Sequence, residues 1–248
     1  MNDDELALLS LAKRIAVAES ETQLDSLIAE MFTTMNCQSL VFTASVKGPE
    51  SRHVAFASRL NCAAWCSVYQ AHRYHLNDSF LQRVDQGHDV VTLQQLKSAP
   101  LTQGQFLQLA LAQENGFRSG GVVAAHAAGS WLGALYFGSD VDSDALEAKI
   151  VNLREVLLVV ATNTLRWTLR TLKHRFETRI EDDSSNANKI LPLLIEGRNT
   201  SEIALILGRS ESQVDNWVKR CCTVALIERR RLLAVEAYQH GFIASGGR

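Results

Sequence analysis

Six polar side chains, Ser212, Gln213, Asp215, Asn216, Lys219 and Arg220, share one face of a predicted helix. Its other face carries Val214, Trp217, Val218 and Cys221 at the 3.6-residue period. Asn and Gln can bond an adenine edge, Lys and Arg a guanine edge or a phosphate, so an apolar back with this polar front suits a DNA major groove. The elements that must hold such a helix are also written in the sequence. Asn199 or Thr200 can cap a preceding helix, with Glu202 placed to complete a capping box from Asn199. Ile203, Ala204 and Leu207 form its apolar stripe, and Gly208 supplies a left-handed stop. Ser210 and Gln213 then read as a second capping box. The pattern looks like a helix-turn-helix, although any two short amphipathic helices joined by a glycine turn would show it. Arg229, Arg230 and Arg231 head a further amphipathic segment that closes at Gly241 and Phe242-Ile243.

Composition narrows the class. The chain has 248 residues, 46% of them hydrophobic, which suits one large or two smaller domains. The longest apolar run, Val156 to Ala161, is too short to span a membrane, and the acidic start Met-Asn-Asp-Asp-Glu is unlike a secretory signal. Five cysteines without disulfide-like spacing suggest a reducing compartment, so a cytoplasmic protein is expected. The net charge of −2 divides unevenly. From Asn186 onward nine Lys/Arg face six Asp/Glu, a net +3, while the remainder holds 16 basic and 21 acidic residues, a net −5. A mildly basic C-terminal module on an acidic body fits a nucleic-acid-binding tail.

Periodicity predicts helices over residues 2–19 and 22–35, then strands over Ser39–Val46 and His53–Leu60 around a Lys-Gly-Pro-Glu turn. Residues 62–87 read as helical, Asp89–Leu93 as a short Val-rich run, and Gln103–Glu114 as a helix stopped by Asn115-Gly116. Gly120–Ala128 and Ser130–Gly138 form a second hairpin signal, and a long helical stretch follows from 142 to 176, with a break expected near Thr162-Asn163-Thr164. The implied fold is α/β of the α+β kind: an N-terminal α-β-α sandwich with a central antiparallel sheet over residues 1–178, and a C-terminal all-α domain over 189–248. Residues 179–188, including the wholly polar Glu181-Asp-Asp-Ser-Ser-Asn186, read as the linker.

The chain resembles the LuxR-type quorum-sensing regulators. At the C-terminus Leu191, Gly197, Glu202-Ile203-Ala204, Leu207, Ser210-Glu211, Val214, Arg230, Ala237 and Gly241-Phe242-Ile243 fall where that family places such residues. Nearer the N-terminus, Trp65, Tyr69 and Asp78 reproduce its Trp, its Tyr four residues on and its Asp nine further. Gly120 matches a family glycine, and Leu132-Gly133-Ala134-Leu135 the following strand. The resemblance implies an N-terminal domain that binds an acyl-homoserine lactone and a C-terminal domain that binds double-stranded DNA. It assigns the ligand's ring carbonyl to the Trp65 indole N–H, its amide N–H to Asp78 and its amide carbonyl to the Tyr69 hydroxyl, with Tyr136 also in the pocket. The DNA-contacting set it implies is Ser212, Gln213, Asn216, Lys219, Arg220 and Arg230. Read without the family, Trp65 and Tyr69 could be core aromatics and Asp78 a helix cap.

Several positions depart from the family. Ser79 replaces a Pro, Leu93 a pocket Trp, Asn61 a Tyr, and Tyr136 a small hydroxyl residue. Asp215 stands where Lys or Arg is common, and could accept from a cytosine amino group or pair with Lys219. Val224 and Ala187 replace a Lys and a Glu, and Pro192 should shorten or kink its helix. Cys62, Cys66, His72 and His75 could hold a metal but lack a CxxC pair, and buried thiols are the commoner use, so no metal is expected. No HExxH, P-loop, GxSxG or GxGxxG motif is present, so neither an enzyme nor a cofactor is expected. The expectation is a dimeric, ligand-controlled transcriptional regulator. The alternative is an orphan or inhibitory member that needs no ligand and forms heterodimers with a related regulator.

Overall fold

A computed structural model describes residues 2–47, 52–74, 77–127, 131–142, 144–181 and 187–225. The chain divides into two units, residues 1–168 and 169–248.

Side-chain caps set where the first helices begin. Asn2 and Glu5 close a capping box on α1 (Asp3–Ala16), and Ser20 Oγ accepts from Gln23 N to start α2 (Glu21–Met35). Asn36, left-handed at φ 52, ends α2. The first hairpin follows as β1 (Ser39–Lys47) and β2 (Arg52–Leu60), and the second as β4 (Ser119–Ala127) and β5 (Trp131–Ser139). With the short β3 (Val90–Thr92) they form one five-stranded antiparallel sheet in the order β2-β1-β5-β4-β3. The central antiparallel sheet expected from the two hairpins is therefore present.

Period-two alternation divides β1 between two layers. Leu40, Phe42 and Ala44 are fully buried on one side, where Phe42 packs against Phe56 and Phe56 meets the edge of Trp167. A long helix, α8 (Arg154–Glu181), covers this side: Trp167 Nε1 donates to Ala18 O at 2.7 Å and Asn163 Nδ2 to Ala12 O at 2.9 Å. The expected break near 162–164 is absent, because Thr164 and Thr168 turn their hydroxyls onto the carbonyls of Val160 and Thr164 and leave the helical ladder intact. The interruption comes earlier, between α7 (Asp144–Asn152) and α8.

The opposite face carries α3 (Ala63–Ala71), α4 (Ser79–Asp85), α5 (Leu93–Lys97) and α6 (Gln103–Glu114). Phe80, Leu81, Leu109 and Ala112 from these helices pack on Val122, Ala124, Leu132 and Ala134 of the sheet. The continuous helix expected over 62–87 is two helices. Arg73 adopts a left-handed φ of 54, which ends the α-helical path begun in α3, and Asp78 is extended as the cap that starts α4.

In the second unit, α9 (Ala187–Ile195), α10 (Thr200–Leu207) and α11 (Glu211–Ala225) enclose a small core of Ile190, Leu191, Leu194, Ile203, Ala204, Val214, Val218 and Cys221. Both expected capping boxes form, Asn199 with Glu202 and Ser210 with Gln213, and Gly208 is left-handed at φ 62. Helix α9 runs three residues past Pro192 before Gly197. Within the expected linker, α8 extends to Glu181 and residues 182–186 lie outside the described residues. The basic segment with Arg229, Arg230 and Arg231 lies outside them too, as do Ala237 and Gly241-Phe242-Ile243. No described helix is long and apolar enough to cross a membrane.

Candidate ligand site

Between the sheet and α3, α4 and α6 lies a cavity of about 320 Å³, within the range of small-molecule sites. The odd-numbered face of β1 supplies Ser39, Val41, Thr43 and Ser45, so this wall is mostly hydroxyl-bearing. Trp65, Tyr69, Asp78 and Tyr136, the four residues expected from the sequence, all line the cavity.

Their placement follows from local structure. Trp65 and Tyr69 are one turn apart on α3, ring centroids 5.8 Å apart and edge to face. Asp78 caps α4 and is only 3% exposed. Its Oδ1 accepts from Leu81 N at 2.9 Å and its Oδ2 from the Tyr69 hydroxyl at 2.7 Å. The cap reading and the pocket reading of Asp78 thus describe the same carboxyl. Tyr136 reaches the cavity from β5, its ring perpendicular to Phe80 at 6.1 Å.

Burial pushes the Asp78 carboxyl above its ordinary range, while hydrogen bonds from Leu81 N–H, Tyr69, Phe80 N–H and Gln108 pull the other way. Tyr69 is pushed up as well, by burial first and then by the neighbouring Asp78 charge. A phenol that keeps its proton is a donor, and an ionised carboxyl is an acceptor. Side by side, they match the C=O and N–H of a secondary amide.

The structure adds residues that the sequence reading missed. Gln108, 2% exposed on α6, accepts from both the backbone N–H and the hydroxyl of Ser79 and supports Asp78. This accounts for one departure: a Pro at position 79 would have no N–H to give Gln108. Asn61 is left-handed at φ 50 and its Nδ2 donates to Gln38 O, a turn role that a Tyr would not fill. Leu93 is fully buried in the core between sheet and helices. No local pattern flags Gln108, whose partner is 29 residues away.

Of the four residues weighed as a metal set, Cys62 and Cys66 lie side by side. His72 stacks on Tyr74, His75 lies outside the described residues, and no three His, Cys, Asp or Glu side chains converge among those described.

On α11, Ser212, Gln213, Asp215, Asn216, Lys219 and Arg220 are all exposed, while Val214 and Val218 are buried. Asp215 accepts from Thr200 Oγ1 at 2.9 Å, and Glu211 from Ser201 Oγ at 2.7 Å, so two acidic residues help tie α10 to α11.

Fold and site together define a ligand-binding α-β-α sandwich. Residues 20–164 match the family described as the autoinducer binding domain, and the chain belongs to that family, as its resemblance to LuxR-type quorum-sensing regulators implies. Two solved structures are similar in fold. "SdiA in complex with octanoyl-rac-glycerol" is 19% identical with a TM-score of 0.52, the alignment covering 97% of this chain and 96% of SdiA. CepR2 from Burkholderia cenocepacia, titled an N-acylhomoserine-lactone-dependent LuxR family transcription factor, is 17% identical with a TM-score of 0.54, covering 66% of this chain and 96% of CepR2. No curated protein matches the chain by sequence.

Proposed function

We propose that this protein is a LuxR-like transcriptional regulator that holds an amide-bearing acyl ligand, of the acyl-homoserine-lactone class, in the sandwich cavity. The observation that carries the reading is the buried Tyr69–Asp78 hydrogen bond at an aromatic-lined cavity. A phenol has one proton to give. A ligand carbonyl that takes it releases Asp78 Oδ2 to accept the ligand N–H, so one internal bond is exchanged for two to the ligand. The Trp65 indole would donate to the lactone carbonyl. The octanoyl-rac-glycerol bound to SdiA and the N-acylhomoserine-lactone dependence of CepR2 support an acyl chain as the shared feature.

Adding a panel of acyl-homoserine lactones to the full chain tests this. A ligand at 100 times its dissociation constant should stabilise it by about 2.7 kcal/mol, read as a rise in melting temperature. If no lactone shifts the transition, the orphan reading, ligand-free and heterodimerising, takes its place.

The C-terminal unit, by the same proposal, is a helix-turn-helix that reads double-stranded DNA through α11, working as a homodimer in the cytoplasm. Its groove-facing set is Ser212, Gln213, Asn216, Lys219 and Arg220, with Arg230 added from the following segment. The tie between Thr200 and Asp215 supports a structural task for that carboxylate rather than base reading. Lys219→Ala and Arg220→Ala should each weaken binding to a dyad-symmetric site. A variant that has lost a phosphate contact should also lower the slope of log affinity against log salt by about one. Unchanged affinity and slope in both variants would remove α11 from the interface.

A further inference from the structure

Two sulfurs meet in the cavity wall. Cys62 immediately precedes α3 and Cys66 lies one turn on, with Sγ atoms 3.0 Å apart. That is closer than two unbonded sulfurs usually sit, and about 1 Å longer than a disulfide. Both line the cavity, so a small molecule that enters it reaches them. Cys62 is not helical, at φ −130 and ψ 20, which takes its side chain off the regular helical path and toward Cys66. The hydrogen bond between the thiols and the nearby Arg59 charge favour the thiolate at Cys66. The same bond and burial hold the proton on Cys62. One sulfur is thus primed as the nucleophile and the other as the resolving thiol.

We propose that Cys62 and Cys66 are a redox-modification site, a dithiol that hydrogen peroxide or an organic hydroperoxide converts to a disulfide within the ligand cavity. In the first step the Cys66 thiolate attacks one peroxide oxygen; the S–O bond forms, the O–O bond breaks, and the leaving hydroxide takes a proton to become water. In the second, the Cys62 sulfur attacks Cys66, the S–S bond forms, the S–O bond breaks, and the Cys62 proton leaves with the departing hydroxide as water. Two thiols and one hydroperoxide give one disulfide and two waters, or one water and an alcohol from an organic hydroperoxide. The cysteines lose two electrons and the peroxide gains them. This proposal needs no lactone and stands apart from the reading of the ligand.

The other thiols supply an internal reference. Cys37 is 5% exposed, and burial pushes its thiol up to about 12, so it should stay reduced. Trypsin separates the two cases, because Leu60–Arg73 holds Cys62 and Cys66 while Ile15–Lys47 holds only Cys37. The experiment treats the reduced full chain with hydrogen peroxide, unfolds it, blocks free thiols with a maleimide and weighs the peptides. The 60–73 peptide should become lighter by two hydrogens, take no maleimide, and regain both thiols with dithiothreitol, while Cys37 remains blockable. Cys62→Ser should halt the reaction at a Cys66 sulfenic acid that dimedone captures, and Cys66→Ser should leave Cys62 reduced. The proposal is overturned if the wild-type 60–73 peptide keeps two blockable thiols, if it oxidises no faster than Cys37, or if it gains oxygen without forming the disulfide. Each of these is read on the wild-type chain, so a serine variant that folds poorly does not obscure the result.

Discussion

Gly120→Ala should leave little folded protein. Gly120 has a φ of +139, a region that side chains rarely adopt, and it pairs with Gly138 across β4 and β5. A Cβ there would sit 2.0 Å from the Phe137 carbonyl oxygen and 3.0 Å from its carbon. Both are backbone atoms of the neighbouring strand, and no rotamer change relieves them. The Gly120 N–H also donates to Glu147, a buried carboxylate that accepts from Gln94 N as well. Moving the strand away from the clash would break that connection between sheet and helix. Backbone strain of about 1–3 kcal/mol and overpacking of about 1–3 kcal/mol together reach, at their upper end, the lower end of a domain's stability, about 5–15 kcal/mol. The check is soluble yield and the urea midpoint, with Gly104→Ala as reference. Gly104 is near the start of α6 with nothing closer than 4.0 Å to a new Cβ, so alanine should be harmless there or stabilise by about 0.5–1 kcal/mol. An unchanged midpoint for Gly120→Ala would contradict the close approach of β4 and β5.

Local signals carried much of the fold into view from the sequence. The strands show it through alternation: Leu40, Phe42 and Ala44 face one layer while Ser39, Val41, Thr43 and Ser45 face the cavity. The second unit shows it through caps, since Asn199 with Glu202 and Ser210 with Gln213 each need only a residue and its neighbour three positions on. What stayed hidden depends on distance or on an unmarked backbone. Nothing in His72-Arg73-Tyr74 announces a left-handed turn, because Arg73 occupies a φ usually left to Gly or Asn. Short α5 went unread although Thr92 and Gln95 form a capping box over it. The site divides the same way. Trp65, Tyr69 and Asp78 were visible through the family spacing, whereas Gln108 and the Tyr69–Asp78 bond exist only once α3, α4 and α6 are packed together.

At Asp78 stability and binding should move in opposite directions, and Asp78→Asn separates them. Burial raises the carboxyl's pKa in the folded state, so the fold holds that proton more tightly than the unfolded chain does. The stability linked to it is complete below the unfolded value of about 3.9 and is lost as pH rises through the folded value. The ligand-free wild type should therefore lose stability across that window, and the asparagine variant, with no proton to lose there, should show a flatter profile. Asparagine keeps an oxygen for Leu81 N–H, so the α4 cap survives. Asp78→Ala removes it, at about 1 kcal/mol, and strands the buried Tyr69 hydroxyl at about a further 1–3 kcal/mol. Binding is expected to suffer in both variants, because the ligand N–H loses a charged acceptor. That is about 1.5–3 kcal/mol, or about tenfold to a hundredfold in dissociation constant. Thermal melts from pH 4 to 8, with and without a lactone that stabilises the wild type, check both halves. An asparagine variant that keeps the wild-type pH profile would show that Asp78 is not the buried titrating group. One that keeps wild-type affinity would show that the ligand does not use it. A carboxyl that lowers stability above its unfolded pKa fits a task other than folding, and under the proposed function that task is to accept the amide N–H of an acyl ligand.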